Sequence, residues 1–200
     1  MAYPTVSAPY GLRPVNLIGG QVFAGSTRQI PIASGEGTSI FYGDVVKLVT
    51  GGTVRKDVGT DAATPVGVFL GCTYTNPSTN QKISAQYWPA ATVTADATAY
   101  VCDDPDTLFK VAVVSATTTV GGVTRTAVGN NAILVQNTGS TVTGDSKIAV
   151  GASYNTTATF PVRVVDVVPE TVNASGSYTE VIVKWNWGMH QYQNATGVGT

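Results

Sequence analysis

The chain has 200 residues, 43% of them apolar, so it can bury a core without a disulfide or a metal to hold it together. Only 12% are charged, and eleven basic against twelve acidic residues leave a net charge of -1, with Arg55-Lys56 the only adjacent basic pair. Phosphate binding wants a clustered basic face, so DNA, RNA and anionic membranes are excluded as partners. No apolar run reaches the ~18 residues of a membrane-spanning helix. A near-neutral surface of Thr, Ser, Gly and Asn offers little like-charge repulsion, which fits a surface covered by neighbours.

Residues 1–25 read as an extended N-terminal arm. Pro4, Pro9 and Pro14 remove backbone donors and bias their neighbours away from helix. Met1–Gly11 has neither a basic start nor an apolar h-region, so no secretory signal is expected there. The arm is nonetheless apolar, with Tyr3, Tyr10, Leu12, Val15, Leu17, Ile18, Val22 and Phe23, and should pack on its own body or on a partner.

Residues 26–190 read as a β-rich body, divisible at about 26–115 and 116–190. Short strands are expected at Arg28–Ile32, Ser39–Tyr42 and Asp44–Thr50, and Gly51-Gly52 is a hairpin turn into Thr53–Lys56. Over Pro65–Tyr74 the two-residue period puts Val66, Val68, Leu70, Cys72 and Tyr74 on one face. Gly67 and Gly71 flank Phe69 on the other, a pattern that points to close approach by another backbone or ring. Asn76–Asn80 turns the chain into Lys82–Trp88. Thr98–Cys102 follows, then the Asp103–Asp106 turn and Thr107–Val114, with Phe109, Val111 and Val113 on one side.

Arg125–Val135 holds the one modest helical possibility, interrupted at Gly129, and residues 135–147 read as a polar loop. In Phe160–Val168 the apolar phase moves from Phe160, Val162 and Val164 to Val165 and Val167, which predicts a bulge at Val164-Val165. Tyr178–Met189 puts Val181, Val183, Trp185 and Trp187 on one face. Residues 191–200 read as a loose polar tail. The fold class is all-β, a barrel or sandwich of many short antiparallel strands.

No constellation for catalysis stands out, so the chain does not read as an enzyme, and no cofactor is expected. His190 is the only histidine and lacks a sequence-level nucleophile or carboxylate; it reads as a surface or edge residue. Cys72 and Cys102 sit in apolar runs as buried thiols, although sequence alone leaves their pairing open. With one histidine they match no zinc spacing. Asp103, Asp104 and Asp106 read as a turn built around Pro105 rather than a calcium loop. Tyr87, Trp88, Trp185 and Trp187 could stack on sugars, but Trp185 and Trp187 share a face with valines, which favours packing.

Five stretches together resemble a known group. They are Ala8-Pro9-Tyr10-Gly11-Leu12-Arg13-Pro14-Val15, Gly67-Val68-Phe69-Leu70-Gly71-Cys72-Thr73-Tyr74, Gln86-Tyr87-Trp88-Pro89-Ala90, residues Ala99–Asp106, and Gly144-Asp145-Ser146. Their order resembles virion structural proteins of tailed phages, notably marine podoviruses, of the capsid decoration or cement type. That resemblance implies a protein made in the host cytoplasm that sits on the virion's capsid surface. Its partners would be the major capsid protein and further copies of itself on the lattice. The arm residues Tyr3, Tyr10, Leu12, Arg13, Leu17, Ile18 and Phe23 would lie across neighbouring subunits, and deleting residues 1–24 would leave a folded body. Two alternatives remain at this level: another virion component of the head–tail or tail, and a glycan-binding β module.

Overall fold

The computed structural model describes residues 7–172 and 178–198. In chain order the strands are β1 (Arg13–Leu17), β2 (Arg28–Pro31), β3 (Val45–Val49), β4 (Thr53–Lys56), β5 (Gly67–Thr75), β6 (Lys82–Ala85) and β7 (Thr98–Cys102). After the Asp103–Asp106 turn come β8 (Thr107–Ala116), β9 (Thr119–Val120), β10 (Asn131–Val135), β11 (Ala149–Asn155), β12 (Val162–Val167) and β13 (Glu180–Trp185). Two single-turn 3-10 helices, Arg125–Ala127 and Pro169–Thr171, complete the elements.

The second half of the chain closes on itself. Strands β8, β11, β10, β12 and β13 pair in that order, and β13 returns to β8, making a five-stranded barrel. Closure removes the free edges that an open sheet would expose. The strand ladders are antiparallel as expected, except β8–β11, which is parallel. Strands β2, β7, β5, β3 and β4 form the other sheet, with β6 added to β5. The whole of β8, past residue 115, pairs in the barrel sheet, and β1 from the start of the chain pairs there too.

Of the two placements open to the apolar arm, its described part takes packing on the chain's own body. β1 pairs antiparallel with Thr107–Lys110 of β8. Lys110 faces Arg13 on one edge and Ile182 of β13 on the other, so β1 and β13 flank opposite sides of β8. β1 thus takes the front of the edge whose rear, Val113–Val114, is paired with β11. It adds to the barrel's sheet beside β8. Beyond it, the Asn16–Val22 bridge and the Leu17 N–H donating to the Gln21 carbonyl at 2.8 Å fold residues 16–22 into a small projecting hairpin.

The barrel core holds Leu12, Phe109, Val111, Val113, Leu134, Val150, Val162, Val164, Val181, Val183 and Trp185, and Val45, Val68 and Cys102 of the other sheet enter it. Each such side chain contributes roughly 1.5–3 kcal/mol when fully buried. A second core gathers Ile30, Val46, Val54, Phe69, Cys72, Trp88 and Val101. The two cores meet along β5. There the register against β7 slips between Phe69 and Cys72, with Gly71 at φ 129°. That bulge breaks the single expected face: Val68 and Leu70 turn to the barrel, whereas Phe69, Cys72 and Tyr74 turn to the second core. Gly67 is the expected close approach, since a Cβ there would stand 2.2 Å from the Cys102 carbonyl oxygen.

The bulge foreseen in β12 is present, between Val164 and Asp166. Ser39–Tyr42, by contrast, makes only isolated bridges, Ile40 to Trp88 and Tyr42 to Asp145. The helical possibility after Arg125 shrinks to one 3-10 turn before β10 begins. The first residue of the tail is anchored: the Gln191 N–H donates to the Pro65 carbonyl at 2.8 Å, and its side-chain amide brackets the Leu48 backbone at 2.7 and 3.1 Å.

Candidate functional site

Among the described residues no cluster of three or more His, Cys, Asp and Glu side chains has the arrangement to hold a metal ion. The three aspartates of the 103–106 turn are spent on structure. Asp103 pairs with Arg28 at 2.5 Å and Asp106 with Lys184 at 2.5 Å, while Asp104 accepts the Asp106 N–H at 2.8 Å. Cys72 and Cys102 are free and buried, and burial first of all pushes their thiols up, to about 12 and about 11. Thiols so placed are poor nucleophiles near neutrality.

His190 is not a surface residue. It is fully buried, with its ring 5.3 Å from Tyr192 and 6.4 Å from Trp185. Its Nδ1 accepts the Tyr192 N–H at 3.3 Å, and its Nε2 makes no hydrogen bond of good geometry. Burial lowers its pKa, against the opposing pull of the Val66 backbone and of Asp103 and Asp104. The Gln191 contacts hold the chain across the sheet beside it.

Three of the resembling stretches converge. Arg13 donates to Asp145 at 2.6 Å, and Gln86 donates to the same oxygen at 3.0 Å. The Arg13 guanidinium also lies over the Tyr42 ring, 4.1 Å from its centroid. Beneath this surface the fully buried Asp44 is paired with Lys56 at 3.0 Å and accepts from Ser146 at 2.5 Å and from the Phe41 N–H at 3.0 Å. At Gly11 a Cβ would stand 2.6 Å from that of Ser146. The other two stretches meet where Gly67 abuts Cys102. These residues knot the sheets together; they present no reactive group.

The predicted arm residues separate into two sets. Leu12 is fully buried in the barrel core, so it cannot touch another subunit. Tyr10 donates its hydroxyl to Glu180, which Lys110 also meets at 3.3 Å, and burial, then Glu180, raise the tyrosine's pKa. Arg13 is engaged by Asp145, and Phe23 packs partly buried against the barrel core. Leu17 is half-buried at the end of β1, and Tyr3 lies outside the described residues. Ile18 alone remains an outward apolar contact, 52% exposed, joined by Val22 at 78%.

Ile18 faces a second exposed group. Trp187, expected to continue the buried face of β13, lies beyond that strand's end and is 79% exposed, whereas Trp185 is in the core. The two tryptophans therefore form no paired platform for a sugar. Ile18, Val165, Trp185 and Trp187, with Arg163, Lys184, Asn186 and Gln193, line a cleft of about 270 Å³. Sequence reasoning missed Arg163 because its setting depends on Asn131 and Asn186, remote in the chain. No family model, curated protein or solved structure matches the chain.

Proposed function

We propose that the chain is a capsid decoration protein. It binds the outer surface of an icosahedral phage head and bridges major capsid subunits, with further copies of itself on the same lattice. Its role is binding rather than catalysis. The observation that carries this reading is the outward apolar group formed by Ile18, Val22 and Trp187 on a closed barrel. Large apolar side chains grouped on a soluble body mark a contact surface. The low charge of the chain and the five resembling stretches support the same reading.

The mechanism differs from that of an arm ordering on contact. Because β1 is built into the barrel, the contact is carried by a preformed hairpin, and little ordering entropy is lost on binding. Weak contacts to two capsid subunits then add up, since the second is effectively intramolecular. Quantitative mass spectrometry of purified virions tests the reading. A copy number near that of the major capsid protein is expected. A handful of copies per particle would transfer the chain to the tail or portal, and absence from the particle would end the virion reading.

A further inference from the structure

Arg163 projects from β12 between Val162 and Val164, which are buried in the barrel core, and is itself exposed. Its Nε donates to Asn131 Oδ1 at 2.9 Å and its Nη2 to Asn186 Oδ1 at 3.2 Å. Both asparagines are buried, and both are fixed from behind. Asn131 Nδ2 donates to the Thr157 carbonyl at 2.9 Å, and Asn186 Nδ2 to those of Ala158 and Phe160 at 2.9 and 3.0 Å. Two buried amides thus hold one exposed guanidinium by its Nε–Nη2 side.

A guanidinium has five N–H donors in a rigid fork. Two are used along one side, so the Nη1–Nη2 end keeps its donors for a planar two-oxygen acceptor. No carboxylate of the described residues pairs with Arg163, whereas Lys184, across the same cleft, is neutralised by Asp106. Ile18, Val165 and the exposed Trp187 give the cleft apolar surface beside Arg163, with Asn186 and Gln193 as neutral polar neighbours. The cleft's 270 Å³ is below the roughly 300–1,000 Å³ of a pocket for a drug-sized ligand. It suits one or two side chains.

We infer that this cleft receives a carboxylate-bearing apolar segment of a partner polypeptide. The carboxylate pairs with the free end of Arg163, and the neighbouring apolar side chain packs between Ile18 and Trp187. A single preorganised cation next to apolar surface matches a lone carboxylate beside an aliphatic or aromatic group. A polyanion would find no second unpaired cation in the cleft, since Lys184 is already engaged by Asp106. The inference stands on this geometry and does not require the partner to be a capsid protein.

N-acetyl-leucine supplies the probe, with N-acetyl-leucinamide as the control that lacks the carboxylate. Both are titrated into the full chain by NMR, reading the Arg163 Nε–H and the Trp187 indole N–H. The acid should shift both signals saturably and bind about tenfold more tightly than the amide, as a charge-assisted pair requires. Arg163→Gln should abolish that preference, with thermal melting checking its fold. Trp187→Ala, at an exposed position, should weaken acid and amide alike. Equal affinity for the two probes, or no saturable shift at either signal, overturns the inference. Tighter binding of inorganic phosphate than of the acid overturns the assignment to a polypeptide.

Discussion

Leu12→Ala separates a built-in strand from a detachable arm. Leu12 is fully buried in the barrel core, immediately before β1. Its truncation removes the transfer free energy of the lost carbons and leaves a cavity, together about 2–5 kcal/mol. Local backbone anchors limit collapse into that void. The Leu12 N–H donates to the Gly43 carbonyl at 2.9 Å, and the Gly11 N–H donates to that of Ile148 at 3.1 Å. We therefore place the cost at about 3–4 kcal/mol, in the upper part of the range. For a chain of this length that lowers the melting temperature by about 10 °C. Urea unfolding followed by the fluorescence of buried Trp88 and Trp185 should show a lower midpoint with an unchanged slope. Ile18→Ala and Val22→Ala, both at exposed positions, should stay within about 0.5 kcal/mol of the parent. A Leu12→Ala cost below that same limit would refute the placement of this segment in the core. Removal of residues 1–24 is expected to be worse than Leu12→Ala, because it also unpairs Thr107–Lys110 of β8, contrary to the intact body that the sequence led us to expect.

Gly67→Ala should destabilise the fold by about 1–3 kcal/mol or more, since the new Cβ would meet backbone, not a movable side chain; a neutral result in urea would mean that β5 and β7 part easily. His190 is held neutral by burial, so the unfolded chain takes up its proton near the ordinary value of about 6.5 while the folded chain does not. Its contribution to stability is thus complete above that pH and declines as pH falls from there toward the depressed folded pKa. Urea midpoints between pH 7.5 and 5 should carry this slope, and His190→Gln should flatten it; an identical slope in the variant would discount the residue. Cys72 and Cys102 should resist a thiol reagent in the native protein at about pH 8 and both react in urea, because their raised pKa values leave little thiolate. Rapid native labelling would contradict their burial.

Where local pattern and environment agree, the sequence is easily read. β4 and β7 fall on their expected residues, and the β12 bulge follows from a visible change of apolar phase. β1 is a different case. Its proline and glycine neighbours read as an arm, and only the unpaired front edge of β8, some ninety residues away, makes it a strand. β11 hides for another reason. Its Gly151 and neighbouring small residues carry no alternating apolar signal, because the Ile133 side chain fills the space that a Cβ at Gly151 would need. His190 reads as superficial in the sequence because its burial depends on the Trp185 ring and on the crossing of the chain over the first sheet, where the next residue, Gln191, bonds to Leu48 and Pro65.

The candidate contact surface is less legible still in the sequence. The five resembling stretches contribute to the Arg13–Asp145–Gln86 knot, the Asp44–Ser146 contact and the Gly67–Cys102 approach, all of which position backbone. Ile18, Val22, Arg163 and Trp187 lie outside every one of those stretches. Residues that fix the body are constrained by the chain's own packing, whereas residues facing outward answer to a partner with a surface of its own. A likeness carried by the first set can therefore support a common body, while the partner must be sought through the second, and Arg163 with its two asparagines is the place where that search has defined chemistry.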